Sequence, residues 1–217
     1  MKKYDNEIHV KKILKLLEKE YPGAETSLNY QTPFQLLVAA ILSAQTTDKQ
    51  VNKITTSLFK EIRGPREILS LGFSSLEEKL KGAGLFHQKS RQIRETSRLL
   101  CEKHGGEVPK TRDELMVLPG VGRKTANVVL STAFSIPTLA VDTHVSRVSR
   151  RLGLTKGKTP LEIEEDLCHL IPISKWSSTH HRLIKHGRQV CRARNPFCEQ
   201  CLLQSHCRYY LEESKPI

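Results

Sequence analysis

No run of apolar residues in this 217-residue sequence is long enough to cross a bilayer: the densest, ten residues from Phe34 to Ser43, falls well short of the about 20 that a helical span needs. The first residues, MKKYDNEIHV, carry two lysines but turn acidic at once with no apolar stretch behind them. A secretory leader is therefore not expected, and the cytoplasm is the expected compartment. Low-complexity tracts, long linkers and the alternating pattern of convincing strands are also missing. Acidic residues are scarce beside basic ones, 23 Asp and Glu against 35 Lys and Arg, which leaves a formal net charge of +12. These gaps exclude a helical membrane protein, a fibrous repeat and a disordered chain. The charge surplus favours polyanions through counterion release and steering, with nucleic acid the leading partner class.

What is present is helical periodicity. Val10, Ile13, Leu14, Leu17 and Tyr21 make one apolar stripe of a first helix that stops before Pro22 and Gly23. Thr32 and Pro33 supply an N-cap and a first-turn proline ahead of FQLLVAAILSAQ, which is apolar all round and is expected inside a core. Further helices are predicted at 48–60, 65–71, 74–81, 87–104, 111–118, 123–134, 143–152, 160–170 and 176–188. Short connections bearing Gly and Pro join them, so the expected fold is all-α, with two intimately packed helical lobes. One frame repeats: Leu80-Lys81-Gly82-Ala83-Gly84 and Leu118-Pro119-Gly120-Val121-Gly122 each follow a short helix and precede a longer one. After the first come Leu85 and Phe86, either core anchors or side chains meant for a base stack.

The second frame carries chemistry. Thr111 with Glu114 three residues on forms a capping box, so a short helix is expected to run to Leu118, followed by a glycine hairpin and an alanine- and valine-rich helix. Glycines there permit positive φ and close approach, while N–H groups at the start of the second helix present positive charge to an anion such as a DNA phosphate. A plain helix–helix turn competes with that reading, and the Arg123-Lys124 pair on a basic chain tips the balance. Nucleotide loops fail on residue grounds. G-x-x-x-x-G-K-[ST] needs glycine where Arg123 stands, and G-x-G-x-x-G needs it where Thr125 stands.

LPGVGRKTANVVL, with Asp142 18 residues after Lys124 in AVDTHVSRV, resembles the endonuclease III family of helix-hairpin-helix DNA glycosylases, and the similarity runs over essentially the whole chain. The resemblance implies that Lys124 attacks C1′ of the damaged nucleotide and that Asp142 supports base departure and proton transfers. It implies that Gly120, Val121, Gly122 and Arg123 hold the DNA strand. Gln45, in Leu42-Ser43-Ala44-Gln45, and Leu85, after Gly84, would fill the gap left by a flipped nucleotide. It also implies a barrel domain over 24–134 and a second helical domain over 1–23 plus 135–217.

The chemistry is physically sound. A lysine of pKa about 10.4 is neutral in only roughly one molecule in a few thousand at pH 7, so a nucleophilic amine needs its pKa lowered. A helix N-terminus and desolvation under a bound nucleotide both act in that direction. Asp142, before Thr143, is also an ordinary N-cap; the roles are compatible, because a rigid ionised carboxylate suits positive charge building on the sugar. His144, Arg147, Arg150 and Arg151 are expected to form a largely solvated basic face, with some of them in reach of phosphates, and Asp48 is a cap for its helix or a pocket residue.

Four of the six cysteines fall as Cys191-x6-Cys198-x2-Cys201-x5-Cys207, while Cys101 and Cys168 stand alone in helical patterns as core residues. A cytoplasmic setting opposes disulfides, so the cluster reads as a metal site. Zinc accepts four thiolates, but its ribbons pair two C-x2-C knuckles, whereas this uneven single loop suits a cubane and matches the family's [4Fe-4S] loop. From Arg182 to Arg208, both included, six residues are Lys or Arg and Glu199 is the one acid, so the loop is expected to present basic side chains to the DNA backbone.

The combined expectation is a monomeric base-excision enzyme that acts on double-stranded DNA with damaged bases or abasic sites, releases oxidised pyrimidines through a lysine Schiff base and nicks the strand by β-elimination. An adenine mismatch glycosylase is opposed by Lys124 and by a sequence that stops ten residues after Cys207. A non-catalytic DNA-binding module is the alternative of a different class.

Overall fold

The computed structural model describes residues 6–213, and among them every regular element is helical: α1 (Asn6–Glu20), α2 (Pro33–Leu42), α3 (Asp48–Glu61), α4 (Pro65–Ser70), α5 (Phe73–Leu80), α6 (Phe86–Lys103), α7 (Arg112–Met116), α8 (Arg123–Ala133), α9 (Thr143–Leu152), α10 (Pro160–Leu170), α11 (Trp176–Gln189) and α12 (Arg208–Glu213). None of these helices is long and apolar enough to cross a membrane. The all-α expectation holds, and the helices expected between 48 and 188 all appear. The segment expected at 111–118 ends early, at Met116, because Pro119 disfavours helical backbone at the residue before it. The chain tightens there, with Leu118 N–H donating to Leu115 O at 3.1 Å. Helix α12, after the last cysteine, was not anticipated.

The chain divides into two compact units: Ser27–Ile136 form one, and the described residues up to Thr26 and from Pro137 onward form the other. In the first, α2 is the central element, packed by α3, α6 and α8. Thr32 Oγ1 accepts from Gln35 N–H at 3.1 Å, and Pro33 fills the first turn, where a missing N–H costs nothing. Every residue of α2 from Phe34 to Leu42 is buried. Leu36, Leu37, Ile41 and Leu42 are each at most 2% exposed, and each such side chain contributes about 1.5–3 kcal/mol of transfer free energy. Gln35 is tolerated there because its amide is spent, donating to Ile62 O and accepting from Gln31 N–H, both at 2.8 Å.

In the second unit the α1 stripe of Val10, Ile13, Leu14, Leu17 and Tyr21 is buried as its spacing predicts. Helix α9 packs against α10, α11 and α12, with Val145, Val148 and Leu152 in the core. It ends on Gly153 at φ +77°, where left-handed backbone lets the Gly153 and Leu154 N–H groups reach back to Arg150 O and Ser149 O at 3.0 and 2.9 Å.

Candidate functional site

The hairpin between α7 and α8 belongs to the Ser27–Ile136 unit. Thr111 caps α7, accepting from Glu114 N–H at 3.3 Å, but the Glu114 carboxylate takes the Thr111 hydroxyl, so only the forward half of the expected capping box forms. Gly120 is at φ +81°, and a Cβ there would lie 2.9 Å from Gln92 Oε1 and 3.2 Å from Ile41 Cγ2. Gly122 differs from expectation: at φ −90° and ψ 175° it is extended, and nothing lies within 4 Å of where its Cβ would be. Positive φ is thus needed at Gly120 alone, while Gly122 keeps an exposed surface bare.

Val121, expected among the strand contacts, sits below the surface. Its side chain is 5% exposed and its N–H donates to Leu118 O at 3.1 Å, so it anchors the turn from within. Thr96 Oγ1 on α6 donates to Pro119 O at 3.0 Å and fixes the hairpin from the other side. Lys124 is exposed in the first turn of α8, next to half-buried Arg123. The N-cap of α8 is Gly122, which has no side chain to cap with, so the first-turn amides are left to an anion.

The same unit brings the Gln45 and Leu85 loops together. Both residues are exposed and both adopt left-handed backbone, at φ +53° and +58°, a conformation costing roughly 1–2 kcal/mol for a residue with a Cβ. Gly84 N–H donates to Thr46 Oγ1 at 3.0 Å, and a Cβ on Gly84 would lie 2.8 Å from Gln45 O. The backbones therefore touch, and glycine is what permits it. Asp48 begins α3 but does not cap it; Thr47 does, accepting from Gln50 N–H at 3.3 Å.

Asp142 stands in the other unit as the half-buried N-cap of α9, its Oδ1 accepting from Val145 N–H at 2.8 Å. An open groove beside it is lined by Arg147, Arg150, Arg151 and Lys158. Arg150 is exposed as its spacing suggests, but Arg147 and Arg151 are half-buried and tied to the backbone. Arg147 donates to Cys191 O and Gly187 O at 3.0 and 2.8 Å, and Arg150 to Gly157 O at 2.9 Å. Arg151 donates to Arg192 O and Ala193 O at 2.6 and 3.1 Å. The targets of Arg147 and Arg151 are carbonyls about forty residues along the chain, which no local pattern reveals, whereas Arg150 bonds only seven residues on.

All six cysteines are free thiols, and Cys191, Cys198, Cys201 and Cys207 line one pocket with Arg151, His186, Phe197 and Tyr209. No three His, Cys, Asp or Glu among the described residues close on a point suited to a single ion; the four thiols ring the pocket instead. Burial pushes the Cys201 thiol up to about 11, with Cys207, Cys191 and Cys198 adding to the push, and burial raises Cys198 and Cys207 as well. Thiolates so gathered repel one another and call for a cationic centre, which is what a metal cluster provides. Hydrogen-bond donors already face the sulfurs: His186 Nε2 lies 3.6 Å from Cys201 Sγ, with Tyr21 OH 3.1 Å from its Nδ1, and Arg151 Nη1 is 3.4 Å from Cys191 Sγ. Of the basic residues expected on this surface, Arg182 is 8% exposed and pairs with Glu18 at 3.2 Å.

The fold and these sites define a helical protein of DNA repair: residues 38–172 match the model of the HhH-GPD superfamily base excision DNA repair proteins, and the chain belongs to that superfamily. Its relatives include endonuclease III of Bacillus subtilis, 49% identical over 87% of this chain and 86% of that protein, and endonuclease III of Escherichia coli, 46% identical over 91% and 93%. A trapped covalent endonuclease III–DNA intermediate superposes with a TM-score of 0.91 at 44% identity, covering 96% of this chain and 99% of that one. A thermostable thymine-DNA glycosylase is more distant, with a TM-score of 0.83 at 27% identity over 95% and 96%.

Proposed function

We propose that the chain excises oxidised pyrimidines from double-stranded DNA as a bifunctional glycosylase and AP lyase, with Lys124 as nucleophile and Asp142 as its supporting carboxylate. The observation that carries this reading is an exposed lysine in the uncapped first turn of α8, directly after the glycine hairpin. Gly120, Gly122 and Arg123 hold a phosphate of the strand, with Val121 buried beneath them, while Gln45 and Leu85 occupy the gap left by the extruded nucleotide.

In the reaction the neutral Lys124 amine adds to C1′ as the bond from C1′ to the base breaks, and the departing base takes up a proton. Asp142 offsets the positive charge that builds on the sugar. Opening of the sugar ring leaves a Schiff base on Lys124; loss of a C2′ proton expels the 3′ phosphate, and water then hydrolyses the imine to release an unsaturated aldehyde. Cys191, Cys198, Cys201 and Cys207 would hold a [4Fe-4S] cluster, whose contribution is to organise the loop rather than to break bonds. Free thiols in these positions fit a reducing cytoplasm, at the nucleoid where the substrate lies.

Borohydride reduction in the presence of DNA containing an oxidised pyrimidine is the deciding experiment. It is expected to trap a covalent adduct with the parent protein and none with Lys124→Gln. A Lys124→Gln protein that still nicks abasic sites at the parent rate would refute the mechanism. An absorbance band near about 400 nm distinguishes an iron–sulfur cluster from colourless zinc thiolates.

A further inference from the structure

One buried cation in the Ser27–Ile136 unit has no part in the chemistry above. Lys89, in the first turn of α6, is 2% exposed, and burial lowers its pKa. No carboxylate is among the partners of its Nζ. The ammonium donates to Leu42 O at 2.8 Å, to Ala44 O and to Thr46 Oγ1 at 2.9 Å. Three donors meet three acceptors, which is the full capacity of the group. Leu42 is the last residue of α2, so the charge also lies where helix carbonyls point and a cation is stabilised.

Those acceptors bracket Gln45. Thr46 Oγ1 in turn accepts from Gly84 N–H at 3.0 Å, immediately before Leu85. A continuous path, Lys89 Nζ to Thr46 Oγ1 to Gly84 N, therefore joins the two exposed residues that hold left-handed backbone, Gln45 and Leu85. Such conformations persist only where the surroundings over-determine them. The buried ammonium does so from below, leaving both side chains exposed above. On the same face of α6, seven residues on, Thr96 holds the hairpin through Pro119 O at 3.0 Å.

We propose that Lys89 is a positioning residue that clamps the Gln45 and Leu85 loops together before DNA arrives, so that both side chains are presented to the base stack as one preformed wedge. The proposal rests on the assignment of Gln45 and Leu85 as gap-fillers. Lys89 itself does not touch DNA; it acts through the geometry of the loops above it. An apolar side chain of similar length would fill the space but leave the Leu42 carbonyl without the Lys89 donor, the Ala44 carbonyl with only the long 3.4 Å contact from Thr46 Oγ1, and the loops free to separate.

The test compares Lys89→Met, and the milder Thr46→Val, which deletes only the bridging hydroxyl, with Gln45→Ala, Leu85→Ala and Ile93→Val. The last variant loosens the core face of the same helix without touching either loop. Three quantities are read: affinity for undamaged duplex, single-turnover base release, and fluorescence of 2-aminopurine placed opposite a non-cleavable abasic analogue, which reports filling of the gap. Lys89→Met and Thr46→Val are expected to bind undamaged duplex like the parent, to release base about tenfold to a hundredfold more slowly, and to lose the fluorescence change as Gln45→Ala and Leu85→Ala do. Base release and fluorescence matching the Ile93→Val control in both Lys89→Met and Thr46→Val, while Gln45→Ala and Leu85→Ala are impaired, would overturn the role of Lys89 alone. Unimpaired Gln45→Ala and Leu85→Ala proteins would overturn the wedge assignment, and the clamp with it. Should Lys89→Met not fold, Thr46→Val decides.

Discussion

Arg151 donates a hydrogen bond to the carbonyl oxygen of Arg192 at 2.6 Å, binding the start of the cysteine-rich segment to α9. A second donation, to Ala193 O at 3.1 Å, and the pair from Arg147 to Cys191 O and Gly187 O make the attachment multiple. The helix that Asp142 caps and the loop that bears the four cysteines are thus one rigid piece within their unit. A carboxylate at an N-cap is only as well placed as its helix, so in the role proposed for Asp142 the loop would act on the chemistry through α9.

Arg151→Ala should expose that coupling. It removes the donor from the carbonyls of Arg192 and Ala193, which are exposed and can turn to water, so the loss is about 0.5–1.5 kcal/mol for each hydrogen bond. The expected result is a lower melting temperature together with faster bleaching of the 400-nm band under a chelator. A variant as stable and as slow to bleach as the parent would show that the loop holds itself.

Asp142→Asn separates the capping bond of this side chain from its proposed part in the chemistry. Asparagine caps helices about as well as aspartate, so α9 should keep its start and the melting temperature should scarcely move. Base release should fall about a hundredfold or more, because the charge that steadies the sugar is gone. Single-turnover base release on a lesion duplex measures it. Parent-like release would mean that another group carries the charge.

How far these sites could be read beforehand depended on the range of the interactions. Thr32-Pro33 and Thr159-Pro160 mark helix starts by chemistry confined to a few neighbours, and both start where they should. The cysteine spacing is likewise local, and its four members do share a pocket. Arg147 and Arg151 are tied down where a solvated face is expected, because their acceptors lie about forty residues onward, at Gly187, Cys191, Arg192 and Ala193. Lys89 left a trace: it occupies the buried stripe of α6 with Ile93, Thr96 and Leu100, and a charge on an apolar stripe needs an explanation. What it binds lies more than forty residues away and leaves no pattern nearby. Gly122 was expected to share the positive φ of Gly120, although in the frame only one of the two glycines makes the turn.

Acid stability should report on His181. Burial, followed by the neighbouring His180 and Lys185, draws its pKa down from 6.5 to about 3. The folded protein therefore refuses a proton that the unfolded chain accepts. Its contribution to stability is complete above pH 6.5 and is lost as the pH falls from there towards about 3, at up to about 1.4 kcal/mol for each pH unit. Denaturant unfolding measured across that window should show one proton less of acid sensitivity in His181→Gln than in the parent. Parallel profiles for the two proteins would contradict this account.

The two hairpin glycines predict opposite outcomes. Gly120→Ala forces a side chain into left-handed backbone at roughly 1–2 kcal/mol, and its Cβ meets Gln92 Oε1 at 2.9 Å and Ile41 Cγ2 at 3.2 Å, so stability and DNA binding should fall together. Gly122→Ala meets no protein atom within 4 Å and asks for no unusual φ, so it should cost stability no more than about 1 kcal/mol as a poorer N-cap. Its methyl group nevertheless stands where a phosphate would approach the first-turn amides of α8, so affinity for duplex containing an abasic analogue should drop while the melting curve holds. Thermal melts and equilibrium binding on both variants make the comparison. A Gly122→Ala protein that binds as tightly as the parent would place the strand away from the hairpin and remove the reason for Lys124 to lie where it does.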